Sequence, residues 1–327
     1  MTNADTAAGW APCSDRSRER DDPLAATASR GLQWFLVEID GSWGANAFIS
    51  SALGRELGQA LVHRIESAGM RPLAIRRARR FRAGRIAKPS WRWAFVDSRP
   101  GFEEVRWGEV TDPYELLEVP LDGSTGIRSP EPVYCVCTHA KHDQCCAVRG
   151  RPVMEALVAA HPDETWECSH LGGDRFAGTM VIFPEGFYFG RADDSEAVGI
   201  VDAYRAGRVD ERFFRGRSSL SHPVQAAQHY AREHFGVDRL DAFAPLGGGA
   251  AAPLAARVSG RAADRASSLA PGETAVLLDH DGVAVRVVVA ETLSEPLLST
   301  CAATRFGRVR EFCLESITVM PPGVWVG

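Results

Sequence analysis

One order of elements runs through this chain twice, and it constrains the fold more than any other feature. An apolar run over about 33–39 reads as a strand, closed by Asp40 and Gly41. Between Ser51 and Ala68, apolar residues recur every four positions at Leu53, Leu57, Leu61 and Ile65. That step puts them on one side of an amphipathic helix, and Gly69 supplies its stop. Pro72–Ile75, Trp91–Val96 and Val105–Val110 follow as strand-like runs. A strand, a helix and further strands in this order make a small α/β layer.

The order then restarts. Val133–Cys137 is a strand, and Pro152–Ala160 is helical, with Val153, Leu157 and Val158 apolar. Thr165–Ser169 is strand-like, and Thr179–Phe183 and Phe187–Gly190 form a hairpin around Pro184, Glu185 and Gly186. Ser195–Arg205 is a further helix. This second series matches a thioredoxin-like arrangement. A third segment has a helix over Pro223–His234, small residues over Leu246–Ala256 that read as a linker, and strands at Ala275–Leu278 and Val283–Val289. The fold class is therefore α/β: two thioredoxin-like α/β units side by side, with a C-terminal α/β extension. The divisions are a disordered arm over 1–30, an N-terminal unit over 31–125, a second unit over 126–218 and the extension over 219–327.

Composition narrows the class of function. The 327 residues include 37 Lys and Arg against 42 Asp and Glu, a formal net charge of −5. That balance gives no general attraction to nucleic acid. No run of 18 apolar residues is present, so no transmembrane helix is expected. The polar, charged start lacks the apolar core of a secretory signal. A cytoplasmic location follows as an expectation, and it governs the eight cysteines. In a reducing compartment structural disulfides are not expected. Five of the eight fall between 135 and 168, a clustering that points to metal binding or redox work. Cys301 and Cys313 read as small buried hydrophobes.

Cys137 and Cys146 are separated by eight residues, in the loop after a strand. That is wider than the knuckle of a structural zinc site and unlike a Cys-x-x-Cys redox pair. A long loop between two thiolates suits a ligand larger than one ion, such as a [2Fe–2S] cluster, in which each iron needs two protein ligands. The second pair would come from Cys168-Ser169-His170-Leu171-Gly172-Gly173-Asp174, which also follows a strand. Imidazole can replace thiolate on one iron and raises the potential. Gly172 and Gly173 would allow a sharp turn or the close approach of a bulky inorganic group. Three other readings compete: plain buried thiols, a zinc site of Cys137, Cys146, Cys168 and His170, and a thiol oxidoreductase using Cys145 with Cys146 or Cys135 with Cys137. His139 and His142 read as solvated loop residues. Asp143 reads as a brace for the loop through backbone N–H bonds. Lys141, Arg149 and Arg175 read either as donors toward the cluster or as surface charge.

At these residues the chain resembles the sucrase/ferredoxin-like family, whose name carries no implication of sugar hydrolysis. The similarity extends over about 30–220 and is strongest over 133–193. It includes the Trp34–Glu38 strand with its following Gly-Ser-Trp-Gly, and the Arg215-Gly216-Arg217 triplet. The resemblance implies a thioredoxin-like [2Fe–2S] ferredoxin, with Cys137 and Cys146 on one iron and His170 on the other. Family members with characterised clusters carry a second histidine in His-x-Gly-Gly-His; here that place is Asp174. Oxygen ligation by Asp174 would lower the potential relative to imidazole. Cys168 is the alternative fourth ligand, and an unassigned group or solvent is a third option.

The implied function is one-electron transfer to or from a protein redox partner, with no bond-making by the protein itself. The seven arginines of Arg71–Arg85 and the series Arg205, Arg208, Arg212, Arg215 and Arg217 read either as solvated basic faces or as a docking patch for an acidic partner. No Walker loop, dinucleotide fingerprint, nucleophile elbow or His-Glu-x-x-His motif is present.

Overall fold

A computed structural model describes residues 12–78, 90–247 and 269–321. Ten strands form one mixed sheet in the order β10-β9-β8-β6-β7-β2-β1-β3-β4-β5. In its first half, β1 (Gln33–Glu38) leads through helix α2 (Arg55–Ser67) to β2 (Arg71–Arg76), which pairs parallel to β1. β3 (Trp91–Asp97) and β4 (Glu104–Val110) then add antiparallel strands on the other side of β1. In the second half, β6 (Val133–Cys137) leads through α3 (Gln144–Ala160) to the parallel β7 (Thr165–Cys168). The hairpin β8 (Met180–Phe183) and β9 (Phe187–Phe189) adds antiparallel beside β6. Both halves thus have the same strand order and directions. They meet where β2 pairs antiparallel with β7, with Ile75 opposite Cys168 and Arg76 opposite Glu167. β5 (Ile127–Ser129) and β10 (Phe214–Arg217) extend the two outer edges.

Alternation along the strands divides the apolar residues between two faces of the sheet. In β1, Phe35 and Val37 pack on the side of α2 with Leu57, Leu61 and Ile65. Trp34 and Leu36 face the other side. There they join Ile75, Cys135, Cys137, Cys146, Trp166 and Cys168 in a core shared by both halves. A third core lies between the second half-sheet, α3 and α4 (Ala197–Arg205). Residues near the β2–β7 joint are therefore buried by both halves at once.

α3 begins eight residues before the expected start at Pro152. Gly150 and Pro152 lie inside it, and both disfavour helix in isolation. The Asp143 side chain caps the start by accepting from Cys145 N–H, and tertiary packing holds the rest. Cys145 and Cys146 consequently sit on the first helical turn instead of in a loop.

Residues 12–30, expected within a disordered arm, are packed. Helix α1 (Cys13–Glu19) buries Cys13, Ser14 and Ser17, and the following chain buries Ala26 and Ala28. The Arg215 carbonyl accepts from the N–H groups of Thr27 and Ala28. Small residues give no apolar periodicity, so the sequence carried no sign of this docking. Residues 1–11 lie outside the described part, as does most of the Leu246–Ala256 stretch.

The C-terminal extension is α5 (His222–Phe235) against a four-stranded antiparallel sheet, β11 (Ala244–Pro245), β12 (Glu273–His280), β13 (Val283–Leu293) and β14 (Arg310–Val319). Among the described residues, no helix is long and apolar enough to cross a membrane.

Candidate metal centre

β6 and β7 are neighbouring parallel strands, and each ends on a cysteine: Cys137 is in register with Cys168. The loops that leave their carboxyl ends therefore lie side by side, the usual position for a ligand site in a sheet of this kind. The first loop runs over 138–142 and enters α3. The second runs from Ser169 through Gly173 into a short 3-10 turn, Asp174–Phe176.

Four side chains converge between these loops. Cys137 and Cys146 lie together in the core shared by both halves. Cys146 Sγ donates to Asp174 Oδ1 at 3.3 Å. His170 Nδ1 stands 2.9 Å from the same carboxylate oxygen. That nitrogen is buried, and its close partner is the Asp174 carboxylate. A fifth group, His142, stacks its ring on His170 with centroids 3.8 Å apart and brings Nε2 to 3.8 Å from Asp174 Oδ2. Cys137, Cys146 and Asp174 are nearly closed to solvent, at 2%, 2% and 4% exposure, whereas the His170 side chain is 32% exposed. The site is thus sealed on its sulfur side and open on its imidazole side.

The electrostatics fit a site for a cation. The hydrogen bond from Cys146 lowers the Cys137 thiol below its ordinary range against the opposing effect of burial, and the His139 backbone N–H also favours the thiolate. The same shared proton, with burial, raises Cys146. Burial disfavours an imidazolium at His170, but the Asp174 carboxylate outweighs it and the ring is raised overall. Burial likewise opposes ionisation of Asp174, and His170 offsets it, so the carboxyl is lowered. His142, His170 and Asp174 bring ligand atoms within 4.8 Å of one another and could hold a metal ion, with the two thiols on the buried side of the carboxylate.

The loops are fixed from behind. Arg215 is fully buried and donates to Gly172 O at 3.0 Å, Thr27 O at 2.6 Å and Thr27 Oγ1 at 3.0 Å. Burial lowers its pKa to about 10, still charged near neutrality. Gly172 and Gly173 have φ of +95° and +80°. A Cβ on Gly173 would meet Arg215 Nη2 at 2.4 Å, and one on Gly172 would meet Ser29 Oγ at 2.2 Å. The glycines therefore make room for the chain's own arginine and serine, not for an inorganic group as their sequence suggested. The first half of the molecule reaches the site through Gly-Ser-Trp-Gly. His139 Nε2 donates to Gly44 O at 2.8 Å, and its ring meets Trp43 edge-on. Arg76 lies over Trp43 and pairs with Glu167, which accepts from Thr138.

A model of the family described as sucrase/ferredoxin-like matches residues 25–216, more than half of the chain and all of the donor set. The chain belongs to the sucrase/ferredoxin-like family. No curated protein and no solved structure matches it.

Within this sucrase/ferredoxin-like chain Cys137, Cys146, His170 and Asp174, the four candidates implied by the family resemblance, lie near one another, with Cys146 and His170 both on Asp174. Cys168, the alternative fourth ligand, is fully buried as a free thiol beside Cys135, and burial raises it well above its ordinary range. Of the two histidines expected as solvated, His139 is buried at 4% exposure, whereas His142 is exposed as expected and also stacks on His170. Asp143 braces the loop as expected, accepting from the N–H groups of Cys145 and Cys301. Arg149 and Arg175 do not reach the site; they pair with Asp15 and Asp22. Arg217 is tied to Glu103 and Arg212 to Asp210. Arg71 and Arg77 lie over Trp34 and Trp166. Arg71, Arg77, Arg215 and Arg217 therefore act as internal connectors, whereas Arg212 is exposed; positions 79–85 lie outside the described residues. Cys301 is not a plain buried residue, and Cys313 is exposed.

Proposed function

We propose that this protein is a one-electron carrier, with a [2Fe–2S] cluster held by Cys137 and Cys146 on one iron and by His170 and Asp174 on the other. The convergence of His170 Nδ1 and the Cys146 thiol on the one Asp174 oxygen, at 2.9 and 3.3 Å, is the observation that carries the reading. When bound, such a cluster supplies a one-electron couple. The chain supplies everything else. His139 N–H and the α3 N-terminus stabilise negative charge at the sulfurs. The glycine turn and Arg215 hold the His170–Asp174 loop, and the closed sulfur side excludes water. The exposed edge of His170 is the route by which an electron passes to or from a protein partner. The thioredoxin-like topology expected for each half is consistent with its 2-1-3-4 strand order.

A potentiometric titration of anaerobically purified protein, followed by electron paramagnetic resonance, tests this. One reversible one-electron wave is expected, with nitrogen coupling that disappears in His170→Ala. Asp174→His is expected to keep the wave, gain a second coupled nitrogen and shift the potential upward. Two coupled nitrogens already present in the native protein would replace Asp174 with His142 as the fourth ligand. Absence of any wave would remove the carrier function.

A further inference from the structure

A second group of metal-type donors lies on the other side of the same helical turn, apart from the centre described above. Cys145 Sγ is 2.9 Å from Cys301 Sγ and 3.6 Å from Cys13 Sγ, and Cys301 Sγ is 3.5 Å from Cys13 Sγ. The Asp143 carboxylate oxygens lie 3.9 and 4.0 Å from Cys13 Sγ. All four ligand atoms fall within 4.8 Å of one another. A tetrahedral zinc ion with Zn–S bonds of about 2.3 Å sets its sulfurs roughly 3.8 Å apart. Two of the three sulfur pairs and both carboxylate distances are close to that edge.

We propose that Cys13, Cys145, Cys301 and Asp143 bind one zinc ion, as a site independent of the iron–sulfur centre. Three thiolates and one carboxylate in a tetrahedron suit zinc better than magnesium or calcium, which take oxygen ligands. A disulfide between Cys145 and Cys301 would use two of the donors and leave Cys13 and Asp143 facing it without purpose. The donors are also supported as metal ligands are. Ser14 Oγ donates to Cys145 Sγ at 3.4 Å. Cys145 N–H and Cys301 N–H donate to the two carboxylate oxygens at 2.8 and 2.7 Å, which fixes the Asp143 plane.

The site joins three distant pieces of chain: α1, the first turn of α3, and the loop before β14. Cys145 is 132 residues from Cys13 and 156 from Cys301. One ion would clasp both outlying segments to the turn that carries Cys146. Binding to the folded form alone adds its free energy to stability.

Native mass spectrometry with metal analysis of the full chain, purified anaerobically without chelator, tests the proposal. The wild type should carry one zinc in addition to its iron. Cys301→Ser should lose the zinc and keep the iron, whereas Cys137→Ser should do the reverse. Alkylation of the wild type avoids any question of folding. Exposed Cys313 should react at once, and Cys301 should react only after zinc is stripped by chelator. Wild type free of zinc, zinc retained in Cys301→Ser, a Cys145–Cys301 disulfide in the peptide map, or chelator-independent alkylation of Cys301 would each overturn the proposal. Iron content reads the other centre separately in every arm.

Discussion

At the scale of single residues, the donor set is uneven in exposure, and that has a consequence for pH. His170 is the one proposed ligand with substantial solvent contact, at 32% exposure. Reduction adds negative charge beside the ring, so the imidazole binds its proton more tightly in the reduced state. Between the oxidised-state and reduced-state pKa values, reduction takes up a proton and the potential falls as pH rises, by up to about 59 mV per tenfold change in proton concentration. Asp174 already raises the ring above its ordinary value of about 6.5. Potentials measured by protein-film voltammetry from about pH 5 to about pH 10 check this range around the imidazole pKa. A flat profile would contradict a titrating His170 ligand.

At the scale of elements, the Leu171–Gly173 turn and the buried Arg215 form one device. Gly173→Ala would add a Cβ where φ is +80° and where Arg215 Nη2 already sits. A destabilisation of about 1–3 kcal/mol is expected from the backbone alone. Displacement of Arg215 from Gly172 O adds to it. Urea unfolding read at several wavelengths gives the number, and an unchanged midpoint would mean that the turn is not held as described. Much of this device was visible beforehand. The strand-end position and spacing of Cys137 and Cys146 pointed to a ligand site, and the family resemblance, not spacing, implied His170 and marked the place of Asp174. The amphipathic α2 was equally plain from its four-residue step. The start of α3 was not, because Gly150 and Pro152 argue against helix locally while Asp143 and packing decide the outcome. His142 was missed because nothing in local spacing tells a ring stacked on His170 from a solvated one. Arg215 looked like surface charge because its partners are backbone carbonyls of segments far away in sequence.

At the scale of the whole molecule, the family-matched region does not close on itself. Gln225, on α5, accepts from Ala28 N–H at 3.2 Å and donates to the carbonyls of Arg217 at 3.1 Å and Leu220 at 2.9 Å. α5 also buries Ala226, Ala227 and Ala231. The role of the extension was opaque in the sequence because one buried glutamine and three alanines carry the joint. A fragment of residues 25–216 would lose the Gln225 contact to Ala28 and uncover Ala26 and the β10 edge, which α5 packs against. The fragment should therefore unfold at a clearly lower urea concentration than the full chain, or fail to fold. A fragment with the full-length midpoint would show that the extension is only attached.

The two halves of the sheet are alike in order, yet only the second carries the donor residues; the first contributes Trp43, Gly44 and Arg76 as a cover for the 138–142 loop. The central claim is that this covered space between Cys137, Cys146, His170 and Asp174 holds an iron–sulfur cluster. Quantifying iron and acid-labile sulfide in anaerobically purified protein, with the resonance spectrum of the reduced form, tests it most directly. The account predicts two irons and two sulfides per chain, as a [2Fe–2S] cluster requires, with a spectrum lost in Cys137→Ser and altered in His170→Ala. Protein that is folded yet free of iron and sulfide would contradict it.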